Sequence, residues 1–387
     1  MIIGKRYMEM LDLAYFDFYQ ILLTLLILIS SISLATILLA KKLRDIYIVA
    51  LLIAWHSLFA AYYWFYSLTN VADATLYYTK AFRISLDLTP GTRFTESIAY
   101  TIVKVFDSNY LNTTLISGLI GGIGLGYFYL AIKQYIFAMN RLWVLILFIP
   151  SMSFWSSGLG KDSISFFATC LFVYAVTHRN TKLLAIIFSM IAMFMVRPHI
   201  TLMMLGSFII YFIIKSKTHI IMKILLLPLI LGVVAITLKY TQDYVGLTDG
   251  VSLENLDNYV NTRQGYNQGG SFVDISSMSY PMQVFTYIFR PLPFEAHSIV
   301  ALITSLENTI LLLLFCFIMI KSKFNFKAFT YNENTWLLIY ALLTCTILAM
   351  TTANLGIATR QKWMFMPALL YLLVFSYHDY QVKSNST

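Results

Sequence analysis

Apolar runs of near-bilayer length recur along the whole chain, separated by short polar breaks. A helix rises 1.5 Å per residue, so a hydrocarbon core of about 30 Å is crossed by about 20 apolar residues. The runs predict helices at 19–40, 46–68, 113–137, 142–155, 163–177, 182–196, 200–214, 220–238, 296–320, 335–352 and 363–378. The expected fold is all-α: a polytopic integral membrane helix bundle of about eleven transmembrane helices. The sequence shows no internal repeat and reads as a single transmembrane domain over 1–387.

The polar breaks alternate in kind. One set is short and basic: Lys41, Lys42 and Arg44; Lys133 and Arg141; Arg179 and Lys182; Lys215, Lys217 and Lys223; Lys321, Lys323 and Lys327. With Lys383 in the tail, these hold 14 of the 27 Lys and Arg residues but only 3 of the 18 acids. The positive-inside rule places them in the cytoplasm, which puts the N-terminus outside and the C-terminus inside. Lys5 and Arg6 fit that orientation less well, although Glu9 and Asp12 lie beside them. An N-inside alternative needs the first segment to lie along the surface or to re-enter. The run Ile21–Ala40 is long enough to span and stops at Lys41-Lys42, unlike a cleavable signal.

The opposite side carries two larger outer loops, 69–112 and 239–295, mixed in charge and rich in Tyr, Asn, Gln and Gly. In the first, Phe94–Phe106 places apolar residues at helical spacing and suits an interfacial helix. In the second, Gln264–Ser271 holds three glycines in eight residues and reads as a loop.

Composition sharpens the class. Apolar residues make up 59% of the chain, charged residues 12%, and the mean hydropathy is +0.73. A soluble domain carries about twice that charge. The net charge of +9 is spread singly between apolar runs, so it is a topology signal and nucleic acid is not an expected partner. Cys170, Cys316 and Cys345 all sit in apolar segments and make neither a disulfide framework nor a metal site. No nucleotide loop, metal spacing or nucleophile elbow is present, so no cofactor and no metal are expected. The glycines from Gly118 to Gly126 lie inside an apolar span and predict close helix packing.

Four predicted helices are too short. At about fifteen residues, 142–155, 163–177, 182–196 and 200–214 reach roughly 22 Å. If their inner ends sit at the interface, their outer connections lie below the membrane surface. Those connections are Ser156–Ser163, with Lys161 and Asp162, and Arg197-Pro198-His199. Charged, irregular backbone at that depth is tolerated beside protein or a water-filled cavity. Further outward-facing polar positions are Asp73 with Tyr77 and Tyr78, Arg290 with Glu295 and His297, and Asn354–Lys362.

Each of these also has a structural reading. Arg197 and His199 could cap a helical hairpin, and Arg360 with Gln361 and Lys362 could snorkel to headgroups. Asp162 could pair with Lys161, and Glu295 with Arg290. Asp73 stands where acids are common. Glu307, within a span, suits a packed polar contact, and His56 a satisfied bundle histidine. As a group, however, cations gathered at one side suit an anionic headgroup, and guanidinium forks match phosphate oxygens. Tyrosines and amides suit sugars. A lipid-linked glycan meets both demands.

The stretch Pro150–Asp162 resembles one found in membrane proteins of bacterial surface-polysaccharide clusters. So do Arg197-Pro198-His199, Gly269-Gly270-Ser271, Phe289–Glu295 and Asn354–Arg360. The chain is thus similar to Wzy-type O-antigen or exopolysaccharide polymerases, within the GT-C-like class of integral membrane glycosyltransferases. The resemblance implies a multi-pass protein of the bacterial cytoplasmic membrane that works on its outer side. A glycan would leave undecaprenyl pyrophosphate, with inversion, and join a hydroxyl of a second lipid-linked unit, without metal or nucleotide sugar. Membrane lipids and other polysaccharide-assembly proteins are the further expected partners. Lys161, Arg197, Arg290, Arg360 and Gln361 would hold the pyrophosphate and glycan, and Asp73 or His199 would take the proton. One departure is that 239–295 carries only Arg263 and Arg290, where well-known polymerases often have an Arg-rich outer loop. The alternatives are a flippase or transporter of the same lipid-linked sugar, a GT-C transferase using a polyprenyl-phosphate donor, and a non-catalytic scaffold.

Overall fold

The computed structural model describes residues 12–178, 183–215, 219–245, 271–296 and 298–385. Lys5, Arg6, Glu9, Arg179, Lys182, Lys217, Arg263, the stretch 264–270 and His297 lie outside them. Among the described residues the chain is helical, with one isolated β-bridge between Phe272 and Asn354.

The first helices in chain order are α1 (Phe18–Leu39), α2 (Leu43–Thr69), α3 (Asp73–Lys80), α4 (Thr92–Phe106) and α5 (Tyr110–Met139). Next come α6 (Pro150–Ser157), α7 (Lys161–Thr177), α8 (Leu183–Val196), α9 (Pro198–Lys215), α10 (Ile220–Val245) and α11 (Tyr280–Phe289). The last are α12 (Ile299–Lys321), α13 (Phe326–Phe329), α14 (Asn334–Thr351), α15 (Leu355–Gln361) and α16 (Met366–Asn385).

Seven of them, α1, α2, α5, α9, α10, α12 and α14, are long and apolar enough to cross a membrane. By length and composition this is a multi-pass membrane protein.

The other four predicted spans are helical too, but shorter, broken or less apolar than these seven. The run 142–155 splits into a 3-10 helix, Arg141–Phe148, and α6. The break falls at Pro150, which lacks an N–H and therefore starts a helix in place of continuing one. The runs 163–177 and 182–196 form α7 and α8, of 17 and 14 residues. The last run begins as a 3-10 turn, Lys362–Met364, before α16.

The described chain divides into two compact units. The first contains residues up to Leu130, Val144–Tyr174 and Ile187–Arg197. In it α1 is fastened to the start of α5 by a buried amide network. Gln20 donates to the Asp107 carbonyl (2.7 Å) and accepts from the Asn109 N–H (2.8 Å), while Asn112 donates to Gln20 (2.9 Å). A buried amide left unpaired costs about 1–3 kcal/mol, so this network fixes the register of the two helices. The predicted helix at 94–106 is α4. Its Ala99 and Val103 pack with Tyr63, Tyr77, Tyr78, Tyr110 and Leu159 in one apolar cluster.

The glycines of α5 allow the close packing their positions predict. A Cβ on Gly121 would stand 2.1 Å from the Ser156 carbonyl oxygen and 2.9 Å from Nε2 of His56. His56 Nε2 itself lies 3.3 Å from that carbonyl. A Cβ on Gly124 would stand 2.6 Å from Cα of Phe167. Backbone therefore meets backbone where α5 passes α6 and α7.

The second unit contains Ala131–Trp143, Ala175–Ile186 and everything from Pro198 onward. Within it α9 packs against α10 and α14, and α16 packs against α12, α13 and α14. Trp336 of α14 donates to the Ser207 hydroxyl of α9 (3.1 Å).

Gly121→Ala is expected to lower the melting temperature of the purified protein by overpacking, at a cost of about 1–3 kcal/mol. Gly206→Ala, whose Cβ would meet nothing within 4 Å, is the control and is expected to melt no lower than wild type. Thermal unfolding in detergent compares the two.

Candidate functional site

In the first unit the site is built on the end of α8 and the start of α7. Arg197 closes α8, its N–H bonded to the Met193 carbonyl (2.7 Å). The following Pro198 disfavours helical geometry at Arg197, which ends the helix there. The Arg197 side chain is buried, and its Nη2 donates to Oδ1 of Asp162 at 2.6 Å. Asp162 sits in the first turn of α7, where the helix dipole favours an anion. The Lys161 ammonium, next along the chain, donates to the Thr92 hydroxyl at the start of α4 (2.8 Å). The Nε–H of Arg197 is buried with no hydrogen-bond partner among the described residues.

Asp73 belongs to the same unit, on the helix whose Tyr77 packs with Leu159 and Gly160, just before Lys161. It opens α3 as an exposed residue, in the position where its charge complements the helix dipole. Tyr77 and Tyr78 turn inward from the same helix and belong to the apolar cluster.

The remaining predicted residues belong to the second unit. His199 is the second residue of α9 and is half-buried. Arg290 follows α11, and both its Nε (2.7 Å) and Nη2 donate to Oε1 of Glu295. The other oxygen of Glu295 accepts the Leu292 N–H (2.7 Å), so the ion pair closes the Pro-Leu-Pro turn on itself. Burial alone would raise the Glu295 carboxyl pKa. The Arg290 hydrogen bond, the Leu292 N–H and the Arg290 charge outweigh burial and hold it below the usual range.

Arg360 and Gln361 end α15, and the Gln361 side-chain oxygen accepts from the Thr352 hydroxyl (3.3 Å). The segment before α15 is tied down by Phe272, through bonds from Val273 N–H to the Ala353 carbonyl and from Leu355 N–H to the Ser271 carbonyl, each 2.9 Å.

Lys362, the next residue, is the member of this group that its sequence position hid. It is only 1% exposed, and its ammonium donates to Oδ1 of Asn308 on α12 at 2.6 Å. Asn308 in turn donates to the Pro291 carbonyl (3.2 Å). Glu307, also buried, acts on the ammonium electrostatically. One buried asparagine thus ties the turn that carries Arg290 to the turn that carries Arg360.

Two of the three candidate arginines are therefore already matched by carboxylates, Arg197 by Asp162 and Arg290 by Glu295. Guanidiniums held this way are fixed in direction, and a phosphate must share them with the acid.

No family model matches the chain, and neither a curated protein nor a solved structure does.

Asn308→Leu is expected to destabilise the protein by about 1–3 kcal/mol, because it strands the buried Lys362 ammonium and the Pro291 carbonyl. Asn308→Asp keeps an acceptor for Lys362 and is expected to melt closer to wild type. Melting curves in detergent check both, and equal melting of Asn308→Leu and wild type would remove the node.

Proposed function

We propose that the protein is a membrane glycosyltransferase that moves a glycan from a lipid-linked diphosphate donor onto a second lipid-linked glycan, as a Wzy-type polysaccharide polymerase does. The observation that carries this reading is the buried Arg197. A guanidinium is admitted to an apolar helical hairpin only at a cost, and Asp162 offsets only part of it. Its Nε–H is unmatched among the described residues, and leaving such a donor unpaired costs about 1–3 kcal/mol. A diphosphate oxygen suits that donor by charge.

In the proposed reaction the bond between the anomeric carbon and the donor phosphate oxygen breaks, and its electron pair leaves with the diphosphate. The acceptor hydroxyl oxygen forms the new bond to that carbon and gives up its proton. Arg197, with Lys161 nearby on α7, would stabilise the charge growing on the leaving diphosphate. Asp162 would keep the guanidinium aimed. Arg290, Arg360 and Gln361 remain the further candidates for holding the donor or glycan. Asp73 or His199 would accept the proton. The positive-inside reading of the loops supports an outward-facing site, and the resemblance to the Wzy-type polymerases supports a bacterial cytoplasmic membrane.

The test is a strain lacking the protein, complemented with variants, followed by a gel of surface glycan. Arg197→Ala is expected to abolish the long-chain ladder while single repeat units still reach the cell surface, a loss of about 10²-fold or more. Arg197→Lys keeps the charge but not the fork and is expected to rescue poorly. Repeat units trapped on the inner leaflet would instead favour the flippase. An unchanged ladder would remove Arg197 from the site.

A further inference from the structure

The loop between α3 and α4 and the first turns of α4 line an open pocket of about 330 Å³ that no step above uses, formed by Arg83, Ile84, Ser85, Asp87, Arg93, Glu96 and Ser97. Its size lies at the small end of the range for ligand pockets, roughly 300–1,000 Å³. Most of its lining is polar, and the charges are unevenly matched. Asp87 is taken by Nη1 of Arg93 (3.1 Å) and by the Thr89 hydroxyl (2.6 Å) and N–H (2.9 Å). Glu96 is taken by Lys80 (2.6 Å). The Arg83 guanidinium has no hydrogen-bond or ion-pair partner among the described residues. Both acids are thus occupied, and one cationic fork remains open.

The wall is held in shape before any ligand arrives. The Ser97 hydroxyl accepts the Asp87 N–H and donates to the Asp87 carbonyl, both at 2.7 Å. Gly91, at φ 103°, takes a left-handed turn that a side chain would strain, and its N–H reaches the Met195 carbonyl at 2.8 Å. The next residue, Thr92, accepts from Lys161. The pocket wall is therefore pinned at one point two residues before Arg197 and at another on the neighbour of Asp162. A surface dent made by solvated ion pairs would need neither anchor, whereas a binding wall gains from being preorganised.

We propose that this cavity is a saccharide subsite for a sugar bearing an anionic substituent, a carboxylate or a phosphate, with Arg83 reading the anion. Ser85 and the polar edges of the Asp87–Arg93 and Glu96–Lys80 pairs would receive the hydroxyls. The subsite rests on the glycan-handling reading above and lies in the same unit as Arg197, so it would hold a sugar ring of a substrate whose diphosphate meets Arg197.

The test is binding to the purified full-length protein in nanodiscs, with three probes: a trigalacturonide, its neutral counterpart galactotriose, and galactose 6-phosphate. Inorganic phosphate serves as the competitor. Wild type is expected to bind at least one acidic sugar more tightly than the neutral one, and the better acidic probe identifies the anion. Arg83→Gln is expected to weaken that probe roughly tenfold and leave galactotriose unchanged. Arg83→Lys should recover part of the loss. Arg83 is exposed, and a melting curve shows whether the variant is folded. Equal binding of acidic and neutral sugars by wild type, or no loss in Arg83→Gln, would overturn the proposal. Inorganic phosphate that binds as tightly as the acidic sugar would overturn its saccharide part. Binding is read separately from the surface ladder. A ladder lost in Arg197→Ala with intact acidic-sugar binding in Arg83→Gln sinks the subsite alone, and the reverse pair of results sinks the transferase alone.

Discussion

Taking a guanidinium out of water costs several kcal/mol even after relaxation, and removing one partner of a buried ion pair typically costs 3–5 kcal/mol. Arg197 meets that constraint through Asp162, across a span of 35 residues and two helices. Much of the first unit is arranged around this contact. Pro198 ends α8 so that the arginine can turn inward, and Asp162 sits where the α7 dipole favours it. The glycines of α5 let the backbone of α6, and with it the turn leading into α7, come close. Bonds from Lys161 to Thr92 and from Gly91 to Met195 then fasten the α3–α4 loop to the same two helices.

The second unit solves the same problem in a different way. Arg290 finds its acid within five residues, inside a turn that two prolines keep from becoming helix. Lys362 instead reaches an amide on α12, with a buried glutamate as its neighbour. In each case the charge is matched from within the unit. A cation held this way has its direction already set, which suits stabilisation of a developing charge better than a loose surface cation would.

Much of this was legible in the chain, and the rest was not for physical reasons. The long apolar runs place helices well: 19–40 is observed as Phe18–Leu39, 113–137 as Tyr110–Met139 and 335–352 as Asn334–Thr351. Hydropathy alone missed the split of 142–155, although Pro150 marked it. The Arg290–Glu295 pair was visible because its partners are close in sequence. The Arg197–Asp162 pair was not visible, because its partners stand 35 residues apart on different helices. Nothing local to Lys362 names Asn308, because the contact depends on how α12 passes the final turn. The open Arg83 could not be read from sequence either, since the pairing of Arg93 and Lys80 with the nearby acids is what leaves it unmatched.

The most direct measurement is binding of a polyprenyl diphosphate to the purified protein in nanodiscs, comparing wild type with Arg197→Gln. The glutamine removes the charge and the fork while leaving a polar side chain for Asp162. If Arg197 grips the lipid's phosphates, wild type binds the diphosphate well above the corresponding polyprenol, and Arg197→Gln loses that preference while remaining folded. Equal preference in the two proteins would mean that the buried pair serves the fold alone, and the transferase reading would lose its basis.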